Sequence, residues 1–206
     1  MKALLINGSP RERGCTYTAL SELARTLEAK GIETELIQAG ARTTHGCIAC
    51  GKCRETGKCV FDDVVNETAP KLAEADALVI GAPVYYASPA GGAISFMDRL
   101  FHSTGIDMTM KVGASVVSCR RGGNTSSFDV LNKYFTIAGM PIASSQYWNM
   151  VYGSTPEEVR KDFEGLQTMR TLGRNMAFLM KSIALGKAQY GLPEKEKSIV
   201  TSFHHD

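Results

Sequence analysis

The chain opens with a short apolar run, KALLIN at positions 2 to 7, which stops at Gly8, Ser9 and Pro10. Behind it, Leu20, Leu23, Ala24 and Leu27 recur at helical spacing until Gly31, so the first stretch predicts strand, loop, helix. The alternation in IETELIQ (32 to 38) predicts a second strand, and a cysteine-rich loop over 45–61 follows it. DDVVNETAPKLAEA then predicts a helix with Asp62 or Asp63 as its cap and Pro70 as a kink or break. DALVIGAP (76 to 83) is apolar at both alternating sets of positions, the pattern of a strand buried on two faces. Next come PVYYASPAGG as a loop, AISFMDRLFH as a helix and KVGASVVS (111 to 118) as a fourth strand. CRRGG reads as a loop, and NTSSFDVLNKYFTIAG as a helix capped by Asn124 or Thr125. PIASSQYW predicts a weaker fifth strand, and a cap with an acidic first turn at Thr155 to Glu158 opens a long final helix. Five strands alternating with five helices predict an α/β fold, a parallel sheet covered on both faces.

At 206 residues the chain suits one domain, taken as 1–185, with a polar tail over 186–206 that reads as a frayed end or a lid on a partner subunit. Its core needs no disulfide staples. The start, MKALLINGSPRERG, lacks a basic segment followed by an apolar one, and no apolar run reaches membrane-spanning length. The expectation is a cytoplasmic protein with reduced thiols and no membrane contact. A formal charge of +2, with basic residues scattered, gives no reason to expect nucleic acid, so the partner is expected to be small. His45, His102, His204 and His205 show no metal-ligand or triad spacing; His102 reads as structural and the last two as solvated.

In an open parallel sheet, ligands bind beyond the carboxyl ends of the strands where strand order reverses. The first loop, GSPRERGCT, is neither a Walker A loop nor a GxGxxG turn. It offers the hydroxyls of Ser9 and Thr16, Arg11, and the free amides of the following helix, which together suit a phosphate monoester. Taken alone it reads equally as an ordinary turn with a capping Thr and a solvated Arg. The loops after strands three and four reach the same edge. Pro83 and Pro89 stiffen one, Tyr85 and Tyr86 supply aromatic faces, and Gly122 with Gly123 permit close approach to the edge of a flat heterocycle. Each residue singly has a plainer reading, the tyrosines as exposed loop aromatics and Cys119 as a core thiol.

GSPRERGCT, GAPVYYASPAG, FMDR and CRRGGN, in this order, resemble the flavodoxin-like family of NAD(P)H-dependent FMN reductases over roughly residues 1 to 150. With CIACGKCRETGKCVFDD between the second strand and the next helix, the chain more specifically resembles the iron-sulfur flavoproteins of anaerobic prokaryotes. The resemblance implies strand order 2-1-3-4-5, FMN at the switch point, and a homodimer or homotetramer with flavin near a subunit interface. Carried over by position, Ser9, Arg11, Cys15 and Thr16 would hold the phosphate. Pro83, Val84, Tyr85 and Tyr86 would line the isoalloxazine, and Cys119, Arg120, Gly122 and Gly123 would close its other edge. Cys15 departs from the Asn or Ser that relatives often carry there. The chemistry would be carried by FMN rather than by a catalytic side chain.

Four of the six cysteines, Cys47, Cys50, Cys53 and Cys59, follow the pattern C-x2-C-x2-C-x5-C. Three thiolates that close suit one face of a cuboidal cluster, and Cys59 completes the fourth corner after RETGK. Gly46, Gly51 and Gly57 let the backbone fold around such a core. Zinc more often takes two C-x2-C pairs a dozen or more residues apart, and a reducing compartment disfavours a disulfide. Cluster, zinc and free thiols all remain open from the spacing, while the resemblance implies a 4Fe-4S cluster exchanging electrons with FMN. Three functions follow. The first is an iron-sulfur flavoprotein taking electrons from NAD(P)H or a ferredoxin-like donor to a small-molecule acceptor. The second is an NAD(P)H-dependent FMN, quinone or azo reductase with no cluster, and the third a non-catalytic thiol redox sensor.

Overall fold

The computed structural model describes residues 1–43, 45–197 and 199–201. The elements in chain order are β1 (Lys2–Asn7), α1 (Cys15–Glu28), β2 (Glu33–Gln38), α2 (Cys53–Thr56), α3 (Val64–Glu74), β3 (Ala77–Tyr85) and β4 (Ser88–Pro89). There follow α4 (Gly91–Ser103), β5 (Val112–Cys119), α5 (Asn124–Ile137), β6 (Met150–Tyr152), α6 (Pro156–Val159) and α7 (Phe163–Tyr190). The parallel strands stand in the order β2-β1-β3-β5-β6, which is the predicted 2-1-3-4-5. The sixth strand, β4, is a two-residue antiparallel partner of β3. No helix among the described residues is long and apolar enough to cross a membrane.

Side chains alternate across a strand, so β1 sends Leu4 and Ile6 to one core and Ala3 and Leu5 to the other. The first core is covered by α3, α4 and α5, through Leu72, Phe96, Leu100 and Phe135 among others. The second is covered by α1 and α7, through Leu20, Leu23, Met169 and Leu172. Burial on both faces is the reason that β3 and β5 are almost wholly apolar.

Four predicted details are corrected. The fifth strand is not PIASSQYW: that segment meets the sheet only at a bridge between Gly113 and Ile142, and β6 lies at Met150–Tyr152. Ser145 donates to the Tyr147 carbonyl and to Asn149 Oδ1, which turns the chain locally, and the aromatics Tyr147 and Trp148 remain exposed. The final helix is two helices, because Asp162 caps a new one by accepting from Gly165 N at 2.9 Å and also holds Tyr152 N at 2.7 Å. α7 then runs to Tyr190, five residues into the expected tail. The cap of α5 is Gly123, at φ +88°, while Asn124 donates to Tyr152 Oη and Met150 Sδ. Pro70 lies inside α3 without ending it, since Val64, Val65, Thr68 and Leu72 fasten the helix to the sheet on both sides of the missing bond. Asp63 is the cap of α3, as one of the two expected residues. His204 and His205 lie outside the described residues, as does most of the end of the tail.

Candidate functional site

Because the main strands are parallel, the loops after β1, β3, β5 and β6 leave from one edge of the sheet. Strand order reverses between β1 and β3, and there the edge opens into a cavity of about 290 Å³. Nine of the twelve expected cofactor residues line it: Ser9, Arg11, Cys15, Thr16, Pro83, Val84, Tyr85, Cys119 and Arg120.

Asn7, the last residue of β1, shapes the first of these loops. It is fully buried; its Oδ1 accepts from Ser9 N at 3.1 Å. Its Nδ2 donates to the carbonyls of Arg11 (3.3 Å) and Glu12 (3.0 Å) and to Gln38 Oε1 (2.6 Å). Gln38 returns a bond to the Ser9 carbonyl at 2.7 Å, so the ends of two adjacent strands clamp the turn. Deeper in, the hydroxyls of Thr16 and Ser118 are 2.8 Å apart. α1 starts at this cavity without a side-chain cap, and α4 and α5 also lack one. Uncapped amides at a helix start suit an anion.

The second wall is the β3–β4 hairpin, in which Val84 pairs with Pro89. Its tip, Tyr86 and Ala87, holds φ of +50° and +57°, a conformation costly for residues other than glycine. Neighbouring contacts hold it there: Ser126 Oγ donates to the Ala87 carbonyl at 2.6 Å, and Gly123 lies so close that an added Cβ would be 2.6 Å from Ala87 Cα. Gly123 thus supports the hairpin from behind rather than lining the cavity; Gly122 does not line it either. Tyr86 is fully exposed at the tip. Burial raises the thiol pKa values of Cys15 and Cys119, which therefore stay protonated at neutral pH. Ser118, Gly153 and Ser154 also line the cavity and were missed. The last two follow β6 directly and would have been found had that strand been read at MVY.

A second, smaller cavity lies under the cysteine loop, and Cys47, Cys50, Cys53 and Cys59 all line it. Cys47 and Cys50 are exposed, whereas Cys53 and Cys59 are half-buried, and all are free thiols. Gly51 and Gly57 hold left-handed φ on either side of α2, the turns the loop needs. Asn66 clamps Cys59 by accepting from its N–H and donating to its carbonyl, both at 3.0 Å.

The loop closes on Arg99 of α4, which is 1 % exposed. Its terminal nitrogens donate to Asp63 at 2.7 and 2.9 Å, and also to the carbonyls of His45 (3.3 Å) and Phe61 (3.0 Å). Its Nε donates to Cys59 Sγ at 3.2 Å. Its guanidinium carbon stands 5.2 Å from the centre of the Phe61 ring, which in turn stacks on His45. Burial opposes the charge on this guanidinium, but the bonds to Asp63 and Cys59 prevail and its pKa is raised. The sequence signal for Arg99 was its place within the apolar stripe Phe96, Met97 and Leu100.

Both cofactors that the resemblance implies can be tested on these residues. For FMN, the hydroxyls, the exposed Arg11 and the uncapped α1 fit a phosphate, and a proline-stiffened wall fits a ring. For a cluster, four thiols share one cavity wall; among the described residues that wall contains no carboxylate, and the buried Oγ of Ser103 in it has no hydrogen-bond partner. Among the described residues no three His, Cys, Asp or Glu side chains are drawn together as a ready metal site. The donor chemistry fits a cluster; the thiols are not gathered around one.

The fold is of flavodoxin-like architecture, and comparison with known proteins makes the chain a flavin-dependent oxidoreductase. The chain belongs to the family described as NADPH-dependent FMN reductase, whose model matches residues 1–155. It is similar to an iron-sulfur flavoprotein of Methanocaldococcus jannaschii, 32% identical over 191 residues that cover 89% of this chain and 99% of that one. An iron-sulfur flavoprotein of Methanosarcina thermophila is 27% identical over 187 residues, 89% of this chain and 97% of the other. Among solved structures, RosB superposes with a TM-score of 0.71 at 17% identity, covering 100% of this chain and 92% of its own. An archaeal flavodoxin superposes with a TM-score of 0.60 at 18% identity over 88% and 99%.

Proposed function

We propose that this chain is an iron-sulfur flavoprotein that moves electrons between an external donor and a small-molecule acceptor. The observation that carries the reading is that all four cysteines of the spaced motif line one cavity beside a buried arginine and an unpartnered buried hydroxyl. The names of the relatives support it. Ser9, Arg11, Thr16 and the first amides of α1 would hold the FMN phosphate, with Cys15 contributing its amide. Pro83, Val84 and Tyr85 would cover one side of the ring, and Cys119 and Arg120 would close the other. Cys47, Cys50, Cys53 and Cys59 would hold a 4Fe-4S cluster. Bound FMN exchanges electrons in pairs or singly, and a cluster exchanges them singly. The chain's own part would be to orient both groups and keep the thiols of Cys15 and Cys119 protonated beside the flavin. The donor would be NAD(P)H or a ferredoxin-like protein, and the assembly a homodimer or homotetramer.

The second reading is a plain NAD(P)H-dependent FMN reductase with idle cysteines, favoured by the exposure of Cys47 and Cys50. Anaerobic purification with a visible spectrum, iron and acid-labile sulfide counts separates the two. Flavin bands with a broad shoulder near ~400 nm and about four irons per chain are expected for the first. Flavin bands with background iron and steady NAD(P)H oxidation would replace it by the second.

A further inference from the structure

Arg99 and Ser103 lie four residues apart on α4 and so share a helix face, and both line the cysteine cavity. Their exposures are 1% and 5%. A buried arginine is ordinarily accounted for by its carboxylate, and Asp63 already satisfies that need with two bonds. The Nε–H lies outside that fork and is aimed at Cys59 Sγ, 3.2 Å away. Ser103 Oγ, one turn further on, is buried with a proton and no acceptor among the described residues. Leaving a buried hydroxyl unpaired is unfavourable, so its presence in this wall implies an acceptor in the cavity. The guanidinium is fixed beforehand: Asp63 is anchored as the cap of α3, and the guanidinium carbon lies over the Phe61 ring.

We infer that Arg99 and Ser103 are positioning residues that donate hydrogen bonds to cluster sulfur, Arg99 through Cys59 and Ser103 directly, and thereby raise the cluster's reduction potential. The inference rests on the cluster reading above. Reduction adds one electron and forms or breaks no bond; the added charge resides on the iron and sulfur, where donors aimed at sulfur favour the reduced state. α4 begins at Gly91, immediately behind the flavin-side hairpin, and reaches Arg99 about 12 Å further along its axis at 1.5 Å per residue. One rigid helix therefore supports both the hairpin and the two donors.

The test uses the full chain with FMN, reconstituted anaerobically with ferrous iron and sulfide, as wild type, Ser103→Ala, Ser103→Thr and Arg99→Lys. Iron and sulfide are counted, and a redox titration follows the cluster by electron paramagnetic resonance and FMN by absorbance. Ser103→Ala is expected to keep its iron and to lose about tenfold in the reduction equilibrium, about 59 mV for one electron. Ser103→Thr restores the wild-type midpoint. Arg99→Lys keeps the charge, loses the Nε donor and moves the midpoint the same way, while the FMN midpoint stays in place throughout. Full iron with unmoved cluster midpoints in Ser103→Ala overturns the inference and leaves the cluster standing. Wild type that takes up no iron overturns both. If Arg99→Lys fails to fold, the Ser103 pair decides alone.

Discussion

Replacing Asn7 by Asp removes the donors that hold the first loop while keeping the side chain's shape. The Nδ2 group serves three acceptors, the carbonyls of Arg11 and Glu12 and Gln38 Oε1. The group has two hydrogens to share among them, so at about 1 kcal/mol net for each the loss is about 2 kcal/mol, before any repulsion of a carboxylate facing three oxygens. With a urea slope of about 2 kcal/mol per molar, the midpoint should fall by about 1 M, and Tm by about 4 to 8 °C. The cost should depend on pH in a fixed direction. A carboxyl buried among acceptors has a folded-state pKa above its unfolded value of about 3.9, so the folded state binds the extra proton and stability falls as pH rises between the two. Protonated, the new side chain donates again and recovers about 1 kcal/mol. Urea unfolding followed by circular dichroism at pH 5 and pH 8, each against wild type at the same pH, measures the difference. Equal midpoints for variant and wild type at pH 8, or a variant penalty that grows on acidification, would refute the role given to Asn7.

Gly123→Ala forces a Cβ to within 2.6 Å of Ala87 Cα at φ +88° and should cost about 1 to 3 kcal/mol. FMN affinity, measured by quenching of flavin fluorescence, should fall with it, and unchanged affinity would mean the hairpin is not part of the ring wall. Arg11→Ala should weaken FMN about 10- to 100-fold and leave riboflavin nearly unaffected, since a charge-assisted bond contributes about 1.5 to 3 kcal/mol; parallel titrations with the two flavins decide it. Bonds from Lys2 and Lys71 depress the pKa of Glu35. Its contribution is thus present above the unfolded glutamate value of about 4.3 and lost as pH falls through the lower folded value. Glu35→Gln should therefore be less stable than wild type at pH 7, with the gap closing in acid, and a gap that persists at pH 2 would contradict this. In the chain freed of cofactors, iodoacetamide should label exposed Cys47 and Cys50 well before Cys119, which mass spectrometry of the peptides reads directly.

Much of the fold was legible because a parallel sheet buried on both faces requires continuous apolar strands such as LVIGA in β3, and each must return through an amphipathic helix. The candidate flavin residues were legible because strand ends and the loops behind them are neighbours in the chain. PIASSQYW misled because its composition suits a strand, while register against Val117, Ser118 and Cys119 selected Met150 to Tyr152 instead. Strand pairing is a long-range choice that local composition does not encode.

By itself, then, the sequence determined the layer architecture, the strand order through its resemblance, the loops that meet at the switch point and the four thiols as one group. The layers and the thiol group follow from periodicity and from residue types at fixed chain spacing, the strand order and its switch point from the resemblance alone. Only the tertiary structure decided that Asn7 and Gln38 clamp the first loop, that Gly123 supports the hairpin from behind, and that Arg99 and Ser103 face the cysteines. Arg99 lies 36 residues from Asp63 and 40 from Cys59 in the chain. Their contact exists because the helices on that face of the sheet pack side by side, and chain spacing carries no record of which side chains such packing brings together.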